Sequence, residues 1–185
     1  DLSEYVRSTN IFTTTTTDPI GGDFSLIYPA NNSGVGRISI ISTTGLQNYP
    51  ASGDSFEVQT RASSYGDNQQ YICFAATSDL NPFESGSGYV VILEYNQSDL
   101  VLQEMDNGSQ TELGRSNASY TNGNLNTTTV TWNTDGTITA EVSDPTGTVG
   151  TVSGSDSDYT SGGFGFSGTQ FGTNVAMYYD NAKLI

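Results

Sequence analysis

Polar and apolar residues alternate with a period of two along most of this chain, and a helical period is nearly absent. Phe24, Leu26 and Tyr28 alternate with Ser25 and Ile27, and Phe56 and Val58 alternate with Glu57 and Gln59. Strands are therefore predicted at 24–28, 35–42 and 54–62. The stretches 70–77 and 89–95 are more continuously apolar, as expected of central strands. Further strands follow at 100–105 and 111–115, and the threonine run 13–17 reads as an early edge strand. The clearest local unit is 127–143, a hairpin whose strands flank Asn133-Thr134-Asp135-Gly136. An Asp-Gly step tolerates the positive φ that tight turns need. Asp144-Pro145-Thr146-Gly147 is a second turn, and a short strand at 148–152 completes a meander. The chain ends with Gly162-Gly163-Phe164-Gly165-Phe166-Ser167-Gly168, a loop, and a last strand within 175–184. About a dozen short strands with closely spaced turns predict an all-β, two-sheet antiparallel sandwich or jelly roll.

The 185 residues suit one domain, 1–185, and an apolar content of 34% suits a thin two-layer core. With 11 Tyr and 8 Phe the chain is too aromatic for disorder. Trp132 alternates with Val130 and is expected in the core. Cys73 has no partner for an intrachain disulfide and sits in an apolar strand, where an inert buried thiol is expected.

Charge changes the picture further. Five Lys and Arg face twenty Asp and Glu, with no His, giving a net charge of −15. The cations are scattered, so no basic groove for nucleic acid can form. Such an excess repels itself in dilute salt and is relieved in concentrated salt, where the Debye length shrinks to about 3 Å. A halophilic setting is the expectation. No run approaches the roughly 20 apolar residues of a membrane helix, so no membrane insertion is expected. The abrupt start at Asp1 is expected of a piece of a longer polypeptide.

Two segments carry a family likeness: the Trp132 and Asp135-Gly136 hairpin, and Gly162-Gly163-Phe164-Gly165-Phe166 followed by Met177-Tyr178-Tyr179-Asp180-Asn181-Ala182-Lys183-Leu184. Together they resemble the concanavalin A-like lectin/glucanase jelly rolls, including the laminin G-like domains. The opening Asp1-Leu2-Ser3-Glu4-Tyr5 and the stretch 41–56 resemble such domains in haloarchaeal surface or virus-associated proteins. This fold hosts enzymes, lectins and inert adhesive modules, so the likeness implies a fold more firmly than a function.

The glucanases of that family carry Glu-x-Asp-x-Glu on one strand, which places acid and nucleophile about 5 Å apart. This chain has no such triplet: Glu94 stands alone, and Glu104 and Asp106 lack a third member. A split pair such as Glu57 with Glu94 stays open, but no enzyme is expected. The resemblance also implies a structural Ca²⁺, with Asp180 as the closing-strand ligand, a carbonyl from Gly22, and an oxygen from Asp1 or Leu2; Asp23 is a weaker ligand. Asp156 and Asp158 form a second, poorer pair. A lectin-like face needs aromatic rings and amides. Tyr65, Tyr71, Tyr95 and Asn96 are the candidates, with Phe83, Tyr159, Asn68 and Gln69 near them; the alternative is that most of these are core or rim residues. Sequons occur at Asn31, Asn96, Asn107, Asn117 and Asn126, a number that the high Asn, Ser and Thr content nearly supplies by chance. The expectation is an adhesion or carbohydrate-binding domain on a cell or virion surface. Its partner would be a glycan, a protein or other copies of itself. A purely structural fibre, spike or filament subunit is the first alternative, and a polysaccharide hydrolase or lyase the second.

Overall fold

The computed structural model describes residues 5–7, 13–16, 20, 25–28, 38–42, 50–64, 68–77, 86–170 and 175–185. In chain order the strands are β1 (Tyr5–Arg7), β2 (Thr13–Thr15), β3 (Ser25–Tyr28), β4 (Ile38–Ser42), β5 (Ser55–Ala62), β6 (Asn68–Ala76) and β7 (Gly88–Glu94). They continue with β8 (Asp99–Asp106), β9 (Ser109–Asn117), β10 (Asn126–Trp132), β11 (Thr137–Asp144), β12 (Gly147–Ser155), β13 (Gly163–Gln170) and β14 (Met177–Leu184). No described residue is helical, and among the described residues no helix is long and apolar enough to cross a membrane.

Two seven-stranded antiparallel sheets form the sandwich. Sheet A runs β1-β4-β13-β6-β7-β8-β9, and sheet B runs β12-β11-β10-β5-β14-β3-β2. The predicted strands are all present within a few residues, and the threonine run does form an edge strand, β2. The hairpin loop is closed by Gly136 N–H donating to Asn133 O at 3.1 Å, with Gly136 at φ +84°. The Asp135 carboxylate accepts from Thr137 N–H at 2.9 Å and holds the turn.

Alternation sends one set of side chains between the sheets. Phe56 and Val58 of β5, Val130 and Trp132 of β10, and Ile72 and Phe74 of β6 meet there. Trp132 is buried as expected, with its ring 5.4 Å from Phe74 and 5.6 Å from Tyr89 in edge contacts. Cys73 is buried too, and burial pushes its thiol far up, so it stays protonated.

One side of the sandwich is closed by backbone contact. The edge strands β9 and β12 belong to opposite sheets and press together through glycines. A methyl group on Gly154 would meet Leu113 O at 2.8 Å, and one on Gly114 would meet Ser153 O at 2.5 Å. Both strands carry a bulge, opposite Leu102/Gln103 for β9 and opposite Val142/Ser143 for β12. Bulged, tightly covered edges are poor templates for pairing with another chain.

Candidate functional site

The face of sheet A that points away from the inter-sheet core is itself buried. Tyr71, Cys73, Val90, Ile92, Val101 and Met105 form a second apolar cluster there, each 3% exposed or less. A polar ladder crosses the same face over five adjacent strands. The Tyr71 hydroxyl lies 2.9 Å from Thr169 Oγ1 and donates to Gln69 Oε1. Gln69 Nε2 donates to Glu94 Oε1 at 2.8 Å, and Arg115 Nη1 donates to Glu94 Oε2 at 2.8 Å and to Asp99 Oδ2 at 2.6 Å. Arg115 also binds Glu112 through Nε and Nη2. These three carboxylates, Glu112 foremost, raise the guanidinium pKa, and the buried Glu94 is thereby paired. Through Arg115 this network neutralises its own charge in part.

The outer face of sheet B is different in kind. Thr127, Thr129 and Thr131 of β10 lie beside Glu57 and Gln59 of β5, all of them partly exposed. Next to them β14 bulges: Asp180 pairs with Gln59 and Lys183 with Glu57, so that Asn181 and Ala182 together face one residue. Asn181 takes the left-handed conformation, φ +50°, which Asn tolerates better than most residues. The bulge lifts one wall of a half-open groove of about 400 Å³, lined by Glu57, Gln59, Thr127, Asn181, Ala182 and Lys183. Inside it Lys183 Nζ lies 3.0 Å from Glu57 Oε2, and Asn181 Nδ2 donates to Gln59 Oε1 at 2.6 Å. Along the same face, Tyr178 stacks under the Arg61 guanidinium, 4.6 Å from its centroid.

A third place gathers carboxylates. Glu104 of β8 and Asp156 and Asp158, just past β12, have oxygens all within 4.8 Å of one another. Glu104 stands opposite Tyr89 in the ladder, at the rim of the inter-sheet core. Burial, then the charges of Asp156, Asp158 and Asp106, raise its carboxyl above the ordinary range. The Tyr89 hydroxyl donates to Asp156 Oδ1 at 2.6 Å, and its own pKa is pushed up, first by burial and then by that bond. An all-oxygen, acidic donor set of this kind suits a hard cation such as Ca²⁺.

The structure sorts the predicted site residues. Tyr71 and Tyr95 are 1% and 4% exposed, so the expectation of exposed stacking rings fails for both. Tyr71 belongs to the sheet A ladder. Tyr95 points into the core, where its hydroxyl donates to Gln70 Oε1 and its ring meets Tyr120 edge-on at 4.7 Å. Asn96 is exposed in the β7–β8 turn, and Tyr65 and Phe83 lie outside the described residues. Asp180 is partly buried, and its Oδ1 accepts from Asn181 N–H at 2.7 Å. Its expected companions, Asp1 or Leu2, Gly22 and Asp23, lie outside the described residues. Among the sequons, Asn107 and Asn117 are exposed, and Asn31 is outside the described residues. Asn126 is fully buried, because it alternates inward with Thr128, Val130 and Trp132, and no glycan can be attached there in the folded domain. The open pairing of Glu57 with Glu94 is ruled out, since they stand on the outer faces of opposite sheets. Sequence reasoning missed Gln59, Thr127, Asn181 and Lys183 as groove residues. The signal was the polar pair Asn181–Lys183 interrupting a closing strand.

No family model and no curated protein matches this chain. Solved structures do. A carbohydrate binding module, CBM66 from Bacillus subtilis, superposes with a TM-score of 0.62 at 14% identity, over 98% of this chain and 94% of its own. A legume lectin-like domain from Entamoeba histolytica gives 0.68 at 10% identity, over 98% and 89%. A Bacillus subtilis protein of unknown function with a galectin-like fold gives 0.65 at 9% identity, over 99% and 89%. The fold is thus a lectin-like jelly-roll sandwich.

Proposed function

We propose that this chain is a non-enzymatic carbohydrate-binding domain that acts in adhesion on the outside of a cell or virion, in concentrated salt. The observation that carries the reading is the contrast within the sandwich: one outer face is shut and internally paired, and the other is a hydroxyl- and amide-rich surface with an open groove. Its likeness in fold to modules named for carbohydrate or lectin binding supports the same reading. The net charge of −15 supports the saline setting. The partner is a surface glycan, free or carried on a protein.

The structural-subunit alternative needs an open sheet edge; of the four edge strands, β9 and β12 are bulged and mutually covered, which leaves β1 and β2 to supply one. Among the described residues, a hydrolase could draw on Glu104 with Asp156 or Asp158, whose oxygens lie within 4.8 Å of one another. That cluster is at the core rim, away from the groove, and Tyr89 already binds Asp156. Ca²⁺ enters the proposal as a stabilising ion with Asp180 among its oxygen ligands.

A glycan array read in high and low salt, with and without EDTA, tests the reading. Saturable binding with no release of reducing sugar is the expected result, and loss on chelation would add Ca²⁺ to the site. A folded domain that binds nothing would return the structural subunit to first place. Sugar release abolished by Glu104→Gln would replace a binding domain with a hydrolase.

A further inference from the structure

We infer that the glycan-binding site is the groove at the β14 bulge and that its ligand class is a neutral saccharide. This rests on the carbohydrate-binding reading above and adds to it a place and a chemistry.

The place follows from the backbone. Within β5, Glu57 and Gln59 are successive outward residues and form the floor. On one side Thr127 stands opposite Gln59. On the other, the extra residue at Asn181–Ala182 pushes β14 out of the sheet surface, and a flat face becomes a concavity. Asn181 holds this shape from two directions: its N–H donates to Asp180 and its side-chain amide donates to Gln59. At about 400 Å³ the groove lies within the ordinary range for small-ligand sites.

The chemistry follows from the lining. A sugar hydroxyl both donates and accepts, so its complement is a mixed set of acceptors and donors. Glu57 accepts, Lys183 donates, and the Gln59 and Asn181 amides and the Thr127 hydroxyl do both. Among the described lining residues Ala182 is the one apolar side chain, and no large apolar side chain offers a seat for a lipid. Charge selects further. Lys183 is the single lysine of the chain, and in the groove it is matched by Glu57. Among the described lining residues no positive charge is in surplus to offset the field of a −15 chain, and Arg61, farther along β5, is taken up by Tyr178, so phosphate, sulfate and uronate groups are disfavoured. A polar ligand without net charge remains. Lys183 is 63% exposed, so its ammonium can turn from Glu57 to a ligand hydroxyl at small cost.

The test uses the whole domain with lactose, maltotriose and mannotriose as neutral probes, sialyllactose as the acidic probe, and the array glycans as a wider set. Binding is followed by ¹⁵N–¹H shift changes and titration. The inference expects a neutral probe or array glycan to bind, with shifts centred on 57–59, 127 and 181–183. Gln59→Ala with Lys183→Met should weaken that binding about tenfold or more. Thr139→Ala, outside the groove on the same sheet, should leave it unchanged. Asn181→Gly keeps the positive φ and the fold but removes the amide, and should weaken binding by a smaller factor. Binding that survives the groove variants, or shifts centred on sheet A, overturns the groove and leaves the carbohydrate-binding reading standing. Preference for sialyllactose overturns the neutral class. A folded domain that binds no glycan overturns both.

Discussion

The two outer faces of the sandwich are made by the same alternation and end as opposites. On sheet A, every residue of β6 and β7 is buried, and the outward side chains are either apolar or tied into the ladder from Thr169 to Arg115. On sheet B, β5 and β10 are buried only at alternate positions, and the outward residues are threonines, carboxylates and amides in contact with water. A face buried on both sides contributes stability and cannot meet a large ligand without rearrangement. A face buried on one side is free to recognise. On the reading proposed above, stability and recognition are divided between the sheets.

The sharpest way to break that division is to put a charge on each face. Ile92→Asp buries an unpaired carboxylate on sheet A and should cost on the order of 4 kcal/mol or abolish folding. Thr129→Lys on sheet B, opposite Glu57 and Glu141, should stay within about 0.5 kcal/mol. Urea midpoints at constant slope read both, and equal losses would show that the faces do not differ.

Carboxylate deletions give a smaller contrast. Glu94→Ala takes the acceptor from Gln69 Nε2 and one of three carboxylates from Arg115, which keeps Asp99 and Glu112, and should cost about 2 kcal/mol after allowing for the partial exposure of Arg115. Glu57→Ala breaks only the exposed pair with Lys183 and should cost less than about 0.5 kcal/mol. A comparable loss at Glu57 in chemical denaturation would mean that the groove is a structural element.

The covered edge offers an intermediate case. Gly154→Ala drives a methyl group into the backbone at Leu113 and should cost about 1–2 kcal/mol, read as a lowered Tm, whereas Gly123→Ala meets nothing nearby and is strained only by its φ of +75°.

The smallest effect is a pH dependence. Glu104 holds its proton more tightly folded than unfolded, so its contribution is fully present below the ordinary carboxylate value and is lost as pH rises through the raised folded value. Wild-type stability relative to Glu104→Gln should therefore fall across the window just above the ordinary carboxylate range, then level off. High salt should shrink the fall, because three of its four causes are charges: Asp156, Asp158 and Asp106. A flat difference across that window would show that the cluster does not repel itself.

Much of the fold was legible in the residues. The alternation at 54–62 and within the 127–143 hairpin marked half-buried strands, the continuous apolar runs marked central strands, and Asp135-Gly136 marked the turn; that those central strands are buried on both faces was not legible. Less of the site was legible. Tyr95 and Asn126 looked like surface chemistry by residue type, yet both point inward, where Asn126 Nδ2 reaches the Tyr95 hydroxyl at 3.4 Å. Residue type carries no direction; the phase of the strand does, and Asn126 shares its phase with Trp132.

The sequence by itself determined the all-β sandwich, the central and edge strands, the buried Trp132 and Cys73, the acidic surface and the lack of a basic groove. These are local or compositional properties, and period, turn chemistry and net charge encode them directly. Only the tertiary structure decided which side chains meet. Glu94 with Arg115, Glu104 with Asp156 and Asp158, and Gln59 with Asn181 are brought together across strands distant in the chain. Such meetings depend on sheet order, register and a one-residue bulge, and a shift of one residue in any strand would turn every one of its side chains to the other face.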